Sequence, residues 1–251
     1  MGKEEVLAVT KAVNAVLGKP VLALLALLHI HPENAQYPIP NYIAMEFLVF
    51  LIAAIFFLWL KPRIRADRPG ATQQIMEFLL VNPMGVGIKD LIDDIVGHDS
   101  DRHIPMMGTI ALFIFLSNML AIVPGLMSPT AAVTVPLGCA VVAFIYYNAH
   151  GIKKQGPLKF LLHFAGPVWW MASLILPIEI VSHLARVLSL TIRLFANMFA
   201  GDMVTLVFFS LVPLGVPILF LGLHIGVSFL QTYIFILLTT VYLAGAVAED
   251  H

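Results

Sequence analysis

The sequence has little charge and almost no cysteine. Only 12% of its 251 residues are charged, against roughly 25% in soluble domains, and 60% are hydrophobic. The formal net charge of −1 argues against nucleic acid as a partner. The single cysteine, Cys139, lies in an apolar run and excludes an internal disulfide and a cysteine-based metal cluster. HExxH, GxSxG and P-loop motifs are absent, so we predict no metal, no cofactor and no hydrolytic or nucleotide-binding activity.

Apolar runs of membrane-spanning length predict an all-α, polytopic membrane protein built as one integral domain over residues 1–251. Five runs are long enough to cross a bilayer: 43–60, 104–126, 131–147, 174–212 and 216–248. The second and third form a predicted helical hairpin over 104–147. Residues 71–97 are too charged to cross lipid and suit an amphipathic helix on the cytoplasmic surface. Their charged residues are Glu77, Lys89, Asp90, Asp93 and Asp94.

The N-terminal segment, residues 1–42, has a helical pattern that polar residues interrupt. Its clean apolar part, 21–28, is too short to span a bilayer, because Lys11, Asn14 and Lys19 precede it. We therefore predict a helix that lies at the membrane interface and is followed by a polar, proline-broken loop on the outside. The sequence alone does not decide whether residues 5–28 cross.

Basic residues fall on one side of this topology. The stretches 61–68 and 153–159 are separated by two spans, so the positive-inside rule places both on the cytoplasmic side. The loops 29–42, 125–131 and 212–217 contain no lysine or arginine. This topology puts the C-terminus in the cytoplasm. No transit or cleavable signal segment is evident, which favours a bacterial inner membrane.

The last two apolar runs are unusually long. Residues 174–212 as one helix would extend ~58 Å, about twice the hydrocarbon thickness. A helix of that length must tilt steeply or break, so we predict two steeply tilted helices that form a hairpin along a neighbouring protein. Gly222 and Gly226 in the second run have the GxxxG spacing that allows close approach of helices.

Polar side chains concentrate in these two runs. Arg193 cannot lose its charge, and placing it in a bilayer costs ~2.5–3.5 kcal/mol on insertion scales, so it is a candidate functional residue. At ~100° per residue, five polar side chains share a stripe about 80° wide, with Ser182 and Ser189 at its edge. The five are Glu179, His183, Arg186, Arg193 and Asn197. Asp202 lies on the opposite face, toward a second run that offers His224 and Gln231.

Chains of Asp, Glu and His within membrane segments are typical of proton relays. Glu179 lies near the cytoplasmic end, whereas Asp202 and His224 lie toward the outside, which suggests two half-paths separated by Arg193. Structural roles stay open as alternatives. Arg186 would pair with Glu179, seven residues earlier, His183 would bond a backbone carbonyl, and the serines would serve in packing.

Three segments resemble the a subunit of the F-type ATP synthase. They are PIEIVSHLARVLSLTIRLFANMFAGDM (177–203), HIGVSFLQTYIFILLTTVYLAGA (224–246) and, more loosely, SNMLAIVPGLMSPT (117–130). The resemblance implies a non-catalytic stator that conducts protons to and from a rotating ring of c subunits. It also implies the b-subunit peripheral stalk, the other synthase subunits and membrane lipid as partners.

The resemblance assigns a role to each polar position. Arg193 would face the carboxylate of each passing rotor subunit. Four residues match the half-channel open to the outside: Asn197, Asp202, His224 and Gln231. Glu179, with Ser182 and Ser189 nearby, matches the cytoplasmic half-channel, and Arg186 and His183 are secondary. Many bacterial relatives carry Glu at position 202, so the shorter Asp leaves open whether it meets His224 directly or through water.

The main alternative is a self-contained secondary transporter or channel with Arg193 as an anion site. That interpretation predicts broken half-helices and an internal repeat, and the sequence contains no such repeat. An intramembrane protease would need a nucleophile–base pair that the sequence does not offer. The choice of proton over sodium as coupling ion rests on the resemblance and on the Asp202/His224 pair.

Overall fold

The structure is a computed structural model that describes residues 6–27, 29, 32, 34, 36–63, 70, 73–74, 87–97, 100–123, 125–156, 172–211 and 215–247. Within these ranges the chain is helical and has no strand. The helices are α1 (Ala8–Leu27), α2 (Asn41–Leu60), α3 (Ile88–Val96), α4 (Ile104–Met119), α5 (Thr134–Gln155), α6 (Ala172–Leu211) and α7 (Val216–Val247). Short 3-10 helices cover Lys61–Arg63, Ser100–Arg102, Leu120–Ile122 and Pro129–Ala131. The predicted all-α, polytopic fold is confirmed.

Six of the described helices are long and apolar enough to cross a membrane. Five of them, α2 and α4 to α7, coincide with the five predicted spans. The sixth is α1, which continues through Pro20 to a length of 20 residues instead of being limited to its apolar end. Length and composition alone do not distinguish a span from an interfacial helix of the same length.

α3 is the main described part of the predicted surface segment 71–97, of which residues 71–72 and 75–86 lie outside the described residues. The helix is amphipathic: Leu91 and Ile92 are buried in an apolar cluster with residues of α5 and α7, and Asp94 is exposed. Lys89 Nζ forms an ion pair with Asp101 Oδ1 at 3.2 Å. α3 therefore covers one end of the bundle with a charged outer face.

The centre of the bundle is an apolar cluster shared by α4, α5, α6 and α7. Ala140 and Ala143 give α5 a flat surface, against which the larger side chains of the other helices pack. Those larger side chains are Ile110, Ile114, Leu190, Leu194, Met198 and Phe235. α6 is packed along this side only, since Leu188 on its far side is 58% exposed. The core thus fixes α6 and leaves one of its faces open.

α6 and α7 are the two long helices, with 40 and 32 residues. At 1.5 Å per residue they extend ~60 Å and ~48 Å, so each exceeds the hydrocarbon thickness of a bilayer. α6 runs unbroken through Pro177. A Cβ at Gly222 or Gly226 meets no atom within 4 Å, so the GxxxG spacing does not mark a close approach between helices of the described chain.

Candidate ion-conducting site

A buried imidazole and a carboxylate meet between α6 and α7. His224 is 5% exposed, and its Nδ1 lies 4.0 Å from Oδ1 of Asp202. That distance permits electrostatic attraction and is too long for a direct hydrogen bond. His224 Nε2 lies 3.3 Å from the backbone oxygen of Asn118, and the backbone N–H of Ser128 donates to the Asp202 carboxylate. Two segments outside the long hairpin therefore contribute to this pair.

The contact with Asn118 determines which imidazole nitrogen of His224 can accept a proton. A carbonyl oxygen only accepts, so Nε2 must carry its hydrogen to make this bond. The remaining nitrogen, Nδ1, faces Asp202. One proton can then be held by the pair, either on Nδ1 of His224 or on the carboxyl group of Asp202.

Gly201 makes room for the imidazole. A Cβ at this position would lie 2.9 Å from His224 Nδ1 and 3.4 Å from its Cε1. Contacts between carbon atoms are favourable at ~3.5–4.0 Å, so any side chain at 201 would push the ring away from Asp202. The glycine that the geometry requires is thus Gly201 on α6, and the GxxxG pair of α7 is not involved.

A chain of buried hydroxyl groups lies beside the pair. Ser128 Oγ is 3.1 Å from the Ser117 carbonyl oxygen and 2.6 Å from Thr130 Oγ1, which is 2.6 Å from Asn118 Oδ1. The side chains of Ser128, Thr130 and Asn118 are fully buried. Two hydroxyl protons cannot serve three such contacts. With the Asn118 amide turned by 180°, its Nδ2 donates to Thr130, Thr130 to Ser128, and Ser128 to Ser117, so each contact has its own proton.

A second polar contact between α6 and α7 is formed by Asn197 and Gln231. Asn197 Nδ2 donates to Gln231 Oε1 at 2.7 Å. Gln231 is 2% exposed, whereas Asn197 lies at the open edge of α6. Because Gln231 is seven residues after His224, the two side chains share a face of α7. The amide bridge therefore holds the register of the hairpin between Asp202 and Arg193.

Arg193 has no carboxylate partner within the described part of the chain. Its Nη2 donates to Ser189 Oγ at 3.3 Å, one helical turn earlier. Ser189 is exposed and Ile192 beside it is 52% exposed, so the guanidinium lies on the open face of α6. A neutral hydroxyl does not offset a permanent charge. The counter-charge for Arg193 must come from outside the described residues.

A second titratable group lies toward the other end of α6. Glu179 Oε1 is 3.4 Å from His183 Nε2, and His183 Nδ1 is 3.3 Å from the Tyr147 hydroxyl. Arg186 does not pair with Glu179 as the sequence analysis considered; its guanidinium lies 5.0 Å from the centre of the Tyr242 ring. His183 is four residues after Glu179 and therefore adjacent to it on the helix, whereas Arg186, seven residues on, is ~10 Å away along the axis. The Glu179 carboxylate therefore contacts His183.

The two groups are far apart along α6. Glu179 and Asp202 are 23 residues apart, ~35 Å along the axis, and Arg193 lies between them, ~21 Å from the first and ~13 Å from the second. Ser182 lies half-buried near Glu179. Within the described residues, no polar contact connects one group to the other past Arg193. The site thus consists of two separate polar clusters, each of which includes one carboxylate of α6.

Sequence reasoning missed the residues that other helices contribute. Asn118, Ser128, Thr130 and Tyr147 all contact a predicted site residue or its partner, and none was a candidate. The available signal was the presence of Ser117 and Asn118 in an otherwise apolar run, followed by a polar Ser-Pro-Thr turn. No group of three or more His, Cys, Asp or Glu within the described residues could hold a metal ion.

Comparison with known sequences gives one consistent result. A profile of the family described as ATP synthase A chain matches residues 43–244. The chain is 47% identical to the ATP synthase subunit a of Koribacter versatilis (strain Ellin345) over 242 residues, 96% of this chain and 97% of that relative. It is 46% identical to the ATP synthase subunit a of Solibacter usitatus (strain Ellin6076) over 229 residues, 91% of this chain and 95% of the relative. Identity to that of Geobacter sulfurreducens (strain ATCC 51573 / DSM 12127 / PCA) is 36% over 228 residues, 91% and 94% of the two chains.

Proposed function

This chain belongs to the ATP synthase A chain family, and we propose that, as the membrane stator subunit of an F-type ATP synthase, it conducts protons through two offset half-channels. Protons pass from the outside to a carboxylate of the rotating c-ring, and from that carboxylate to the cytoplasm after rotation. The chain itself makes no ATP. The observation that carries the proposal is Arg193, a permanent cation on the open face of α6 with no carboxylate partner in the described chain.

The counter-charge of Arg193 is the ionised carboxylate of a c subunit. A rotating ring presents one ionised carboxylate after another to Arg193. The guanidinium then has a counter-charge without forming a permanent ion pair. The open face of α6, with Leu188 and Ile192 more than half exposed, offers the apolar surface against which such a ring turns. A carboxylate that has taken up a proton is neutral and moves away into lipid, because it no longer attracts the guanidinium.

Asp202 and His224 are the proton-exchanging pair of the outside half-channel. Because Nε2 of His224 is held by the Asn118 carbonyl, one proton moves between Nδ1 and the Asp202 carboxyl and then to the rotor carboxylate. The gap of 4.0 Å between the two groups fits a small side-chain rotation or one bridging water. Asn197 and Gln231 line the route from this pair toward Arg193.

The cytoplasmic half-channel begins at Glu179. The carboxylate accepts a proton from the rotor and has His183 as an immediate neighbour at 3.4 Å. Ser182 and Ser189 lie near this route on the same helix, and Arg186 is held apart at the Tyr242 ring. Both half-channels are therefore built on α6, with separate acceptors at each end.

Arg193 keeps the two half-channels apart by electrostatics. Two unit charges 4 Å apart repel by ~4 kcal/mol at an effective dielectric constant of 20. That energy lowers the local occupancy of a hydronium ion by about a thousandfold. Protons then cross only on the rotor, and each charge that moves through 100 mV supplies ~2.3 kcal/mol for rotation.

The alternative of a self-contained transporter is not favoured by the helices. Secondary transporters bind their substrates at discontinuous helices, whereas α6 and α7 are continuous over 40 and 32 residues. We place the chain in a bacterial inner membrane with its C-terminus in the cytoplasm, among the c-ring, the b-subunit stalk and the other synthase subunits. The coupling ion is the proton, since the Asp202/His224 pair exchanges protons and offers no oxygen cage for sodium.

The experiment compares Arg193→Ala with wild type in inverted vesicles that contain the whole complex. We expect the variant to lose ATP-driven acidification and, after removal of the catalytic head, to leak protons faster than wild type. Arg186→Ala is the matched control, because it removes an arginine from the same stripe whose neighbour is an aromatic ring. Acidification by assembled Arg193→Ala complexes at the level of Arg186→Ala would refute the separator role.

A further inference from the structure

The first membrane span contains a carboxylate that belongs to neither polar cluster. Glu46 of α2 is the single charged residue in the apolar run 43–60, and it is half-buried. Within the described residues it forms no ion pair with a lysine, arginine or histidine. An ionisable side chain inside a membrane segment is costly and marks either a buried pair or an ion pathway. Because Glu46 has no cationic partner there, the pathway is the better explanation.

Glu46 lies at the edge of the protein-facing side of α2. Met45 and Val49 on that side are fully buried, whereas Phe47 is 49% exposed. At ~100° per residue, Glu46 falls between these two sides of the helix. It lies ~8 Å along the axis from Asn41, where α2 begins. The carboxylate is therefore close to one end of the span and directed along the boundary between protein and lipid.

Two packing contacts place Glu46 beside the turn 127–131. Met45, the preceding residue, packs in one apolar cluster with Met127. α2 also packs against the 3-10 helix at the end of this turn. From the neighbouring helix α5, the Cys139 thiol lies within electrostatic range of the Glu46 carboxylate. Glu46 therefore lies on the α2 side of the turn, facing α5.

The other side of the same turn faces Asp202. The backbone N–H of Ser128 donates to the Asp202 carboxylate, and α6 packs against the 3-10 helix of the turn. The buried hydroxyl oxygens of Ser128 and Thr130 are 2.6 Å apart. The Ser117 hydroxyl beside them is buried and has no hydrogen-bond partner in the described chain. Ordered water satisfies buried polar groups of this kind, and together with the hydroxyls it can carry a proton across the turn.

We propose that Glu46 is the outer proton-collecting residue of the outside half-channel, and that its protons reach Asp202 past the turn 127–131. This proposal rests on the proposed function, which places the start of α2 on the outside. A proton from the outside binds the ionised carboxylate. The neutral acid then releases it to water or to a hydroxyl of the turn, and Asp202 or His224 accepts it. The carboxylate is ionised again and binds the next proton.

The negative charge of Glu46 gives it a role that the hydroxyls cannot fill. A cleft lined by one sign of charge raises the local concentration of counter-ions and their rate of entry by ~10–10³-fold. Hydroxyl and amide groups are neutral and do not attract protons in this way. Cys139 is the titratable side chain that faces Glu46 from α5, and the Asp202–His224 pair lies beyond the turn. Glu46 therefore matters most when protons are scarce on the outside.

The dependence on outside pH tests this role in reconstituted complexes, whose outside half-channel opens to the vesicle lumen. ATP synthesis is driven at one membrane potential with an acidic or an alkaline lumen, and rates are divided by the amount of assembled complex. We expect Glu46→Gln to lower the initial rate by about tenfold relative to wild type with an alkaline lumen, and to leave it nearly unchanged with an acidic one. Glu46→Asp keeps the carboxylate and should stay close to wild type in both.

Tyr42→Phe is the matched control, because it removes a hydroxyl from a half-buried residue one turn earlier on the same flank of α2. Its rate should equal that of wild type in both conditions. Equal rates for Glu46→Gln and Tyr42→Phe with an alkaline lumen would overturn the proposal. A loss in Glu46→Gln of the same size with both lumens would also overturn it, because a structural defect does not depend on proton supply.

The entry route is tested separately by water access. In a Cys139→Ser background that still pumps, Glu46→Cys and Phe47→Cys place thiols at nearly the same depth, the first toward the turn and the second toward lipid. A membrane-impermeant methanethiosulfonate reacts with the ionised thiol, which forms in water and not in hydrocarbon. We expect Glu46→Cys to react several-fold faster than Phe47→Cys with reagent on the outside. Equal reaction rates would overturn the entry route.

Asp202→Asn separates failure of this inference from failure of the proposed function. If Asp202→Asn abolishes ATP synthesis while Glu46→Gln matches wild type, the outside half-channel stands and Glu46 is not part of it. If assembled Asp202→Asn complexes still make ATP, the proposed half-channel itself fails. Reaction of Glu46→Cys with reagent on the cytoplasmic side alone would refute the proposed orientation of the chain.

Discussion

The close approach of Gly201 to His224 permits a quantitative prediction. In Gly201→Ala the new methyl group would lie 2.9 Å from Nδ1 of a ring that is 5% exposed. An unstrained contact needs ~3.5 Å or more, so the ring or the helix must move by at least ~0.6 Å. The bond from His224 Nε2 to the Asn118 carbonyl is already 3.3 Å long, and a shift of that size breaks it or lengthens the 4.0 Å gap to Asp202.

The expected effect is on proton transfer more than on folding. Overpacking of this kind costs ~1–3 kcal/mol of stability, which an assembled complex tolerates. A displacement of ~1 Å at a reacting pair lowers a rate by up to ~100-fold. We therefore expect Gly201→Ala to reduce ATP synthesis driven by an imposed pH gradient by about 10- to 100-fold at normal complex abundance.

The assay compares initial rates of ATP synthesis in reconstituted vesicles for Gly201→Ala, Gly222→Ala and wild type. Gly222→Ala is the matched control, because a Cβ at Gly222 meets no atom within 4 Å. Its rate should stay close to wild type. If Gly201→Ala synthesises ATP as fast as Gly222→Ala, the argument that this glycine positions the imidazole is wrong.

Three further predictions concern the polar clusters. Thr130→Val removes a fully buried hydroxyl and leaves the Asn118 amide without its partner. We expect this variant to lower the stability of the complex by ~1–3 kcal/mol in thermal unfolding and to slow proton uptake. Thr109→Val, at an exposed helix position, is the control and should do neither. Asp202→Glu lengthens the side chain by ~1.5 Å and should retain ATP-driven acidification, whereas Asp202→Asn should abolish it. Acidification by the Asp202→Asn variant would contradict a proton-carrying role for Asp202. Tyr147→Phe removes the hydroxyl that contacts the His183 imidazole beside Glu179. We expect slower proton release and no increase in passive proton leak, measured after removal of the catalytic head. A faster leak would contradict the assignment of Tyr147 to the cytoplasmic half-channel only.

The helices were predictable because the thickness of a bilayer sets the length of an apolar run. The predicted run 43–60 became Asn41–Leu60, and 174–212 became Ala172–Leu211. The polar stripe on α6 followed from helical periodicity alone, since its members lie on the same element. Local periodicity also placed Asp202 on the side away from Arg193.

The contacts between elements were not predictable, because they depend on how the helices are aligned against one another. The bond from Asn197 to Gln231 joins residues 34 positions apart, and the His224 contact to Asn118 joins residues 106 positions apart. Neither separation has a local signature. For the same reason the sequence did not identify Gly201: the GxxxG spacing marks small residues on α7, and only the packed structure shows that α6 and α7 approach closely at Gly201.

The continuous α6 helix has a mechanical consequence. If a rotor carboxylate is attracted to Arg193 as proposed, the force acts sideways on a rod ~60 Å long, near its middle. Directly behind that point, Leu190, Leu194 and Met198 rest on α4 and α5. Under the proposed function, these apolar side chains would transmit the reaction torque to the rest of the stator. Compliance there would let α6 bend under load, and part of the work of each proton would be lost as elastic recoil instead of rotation.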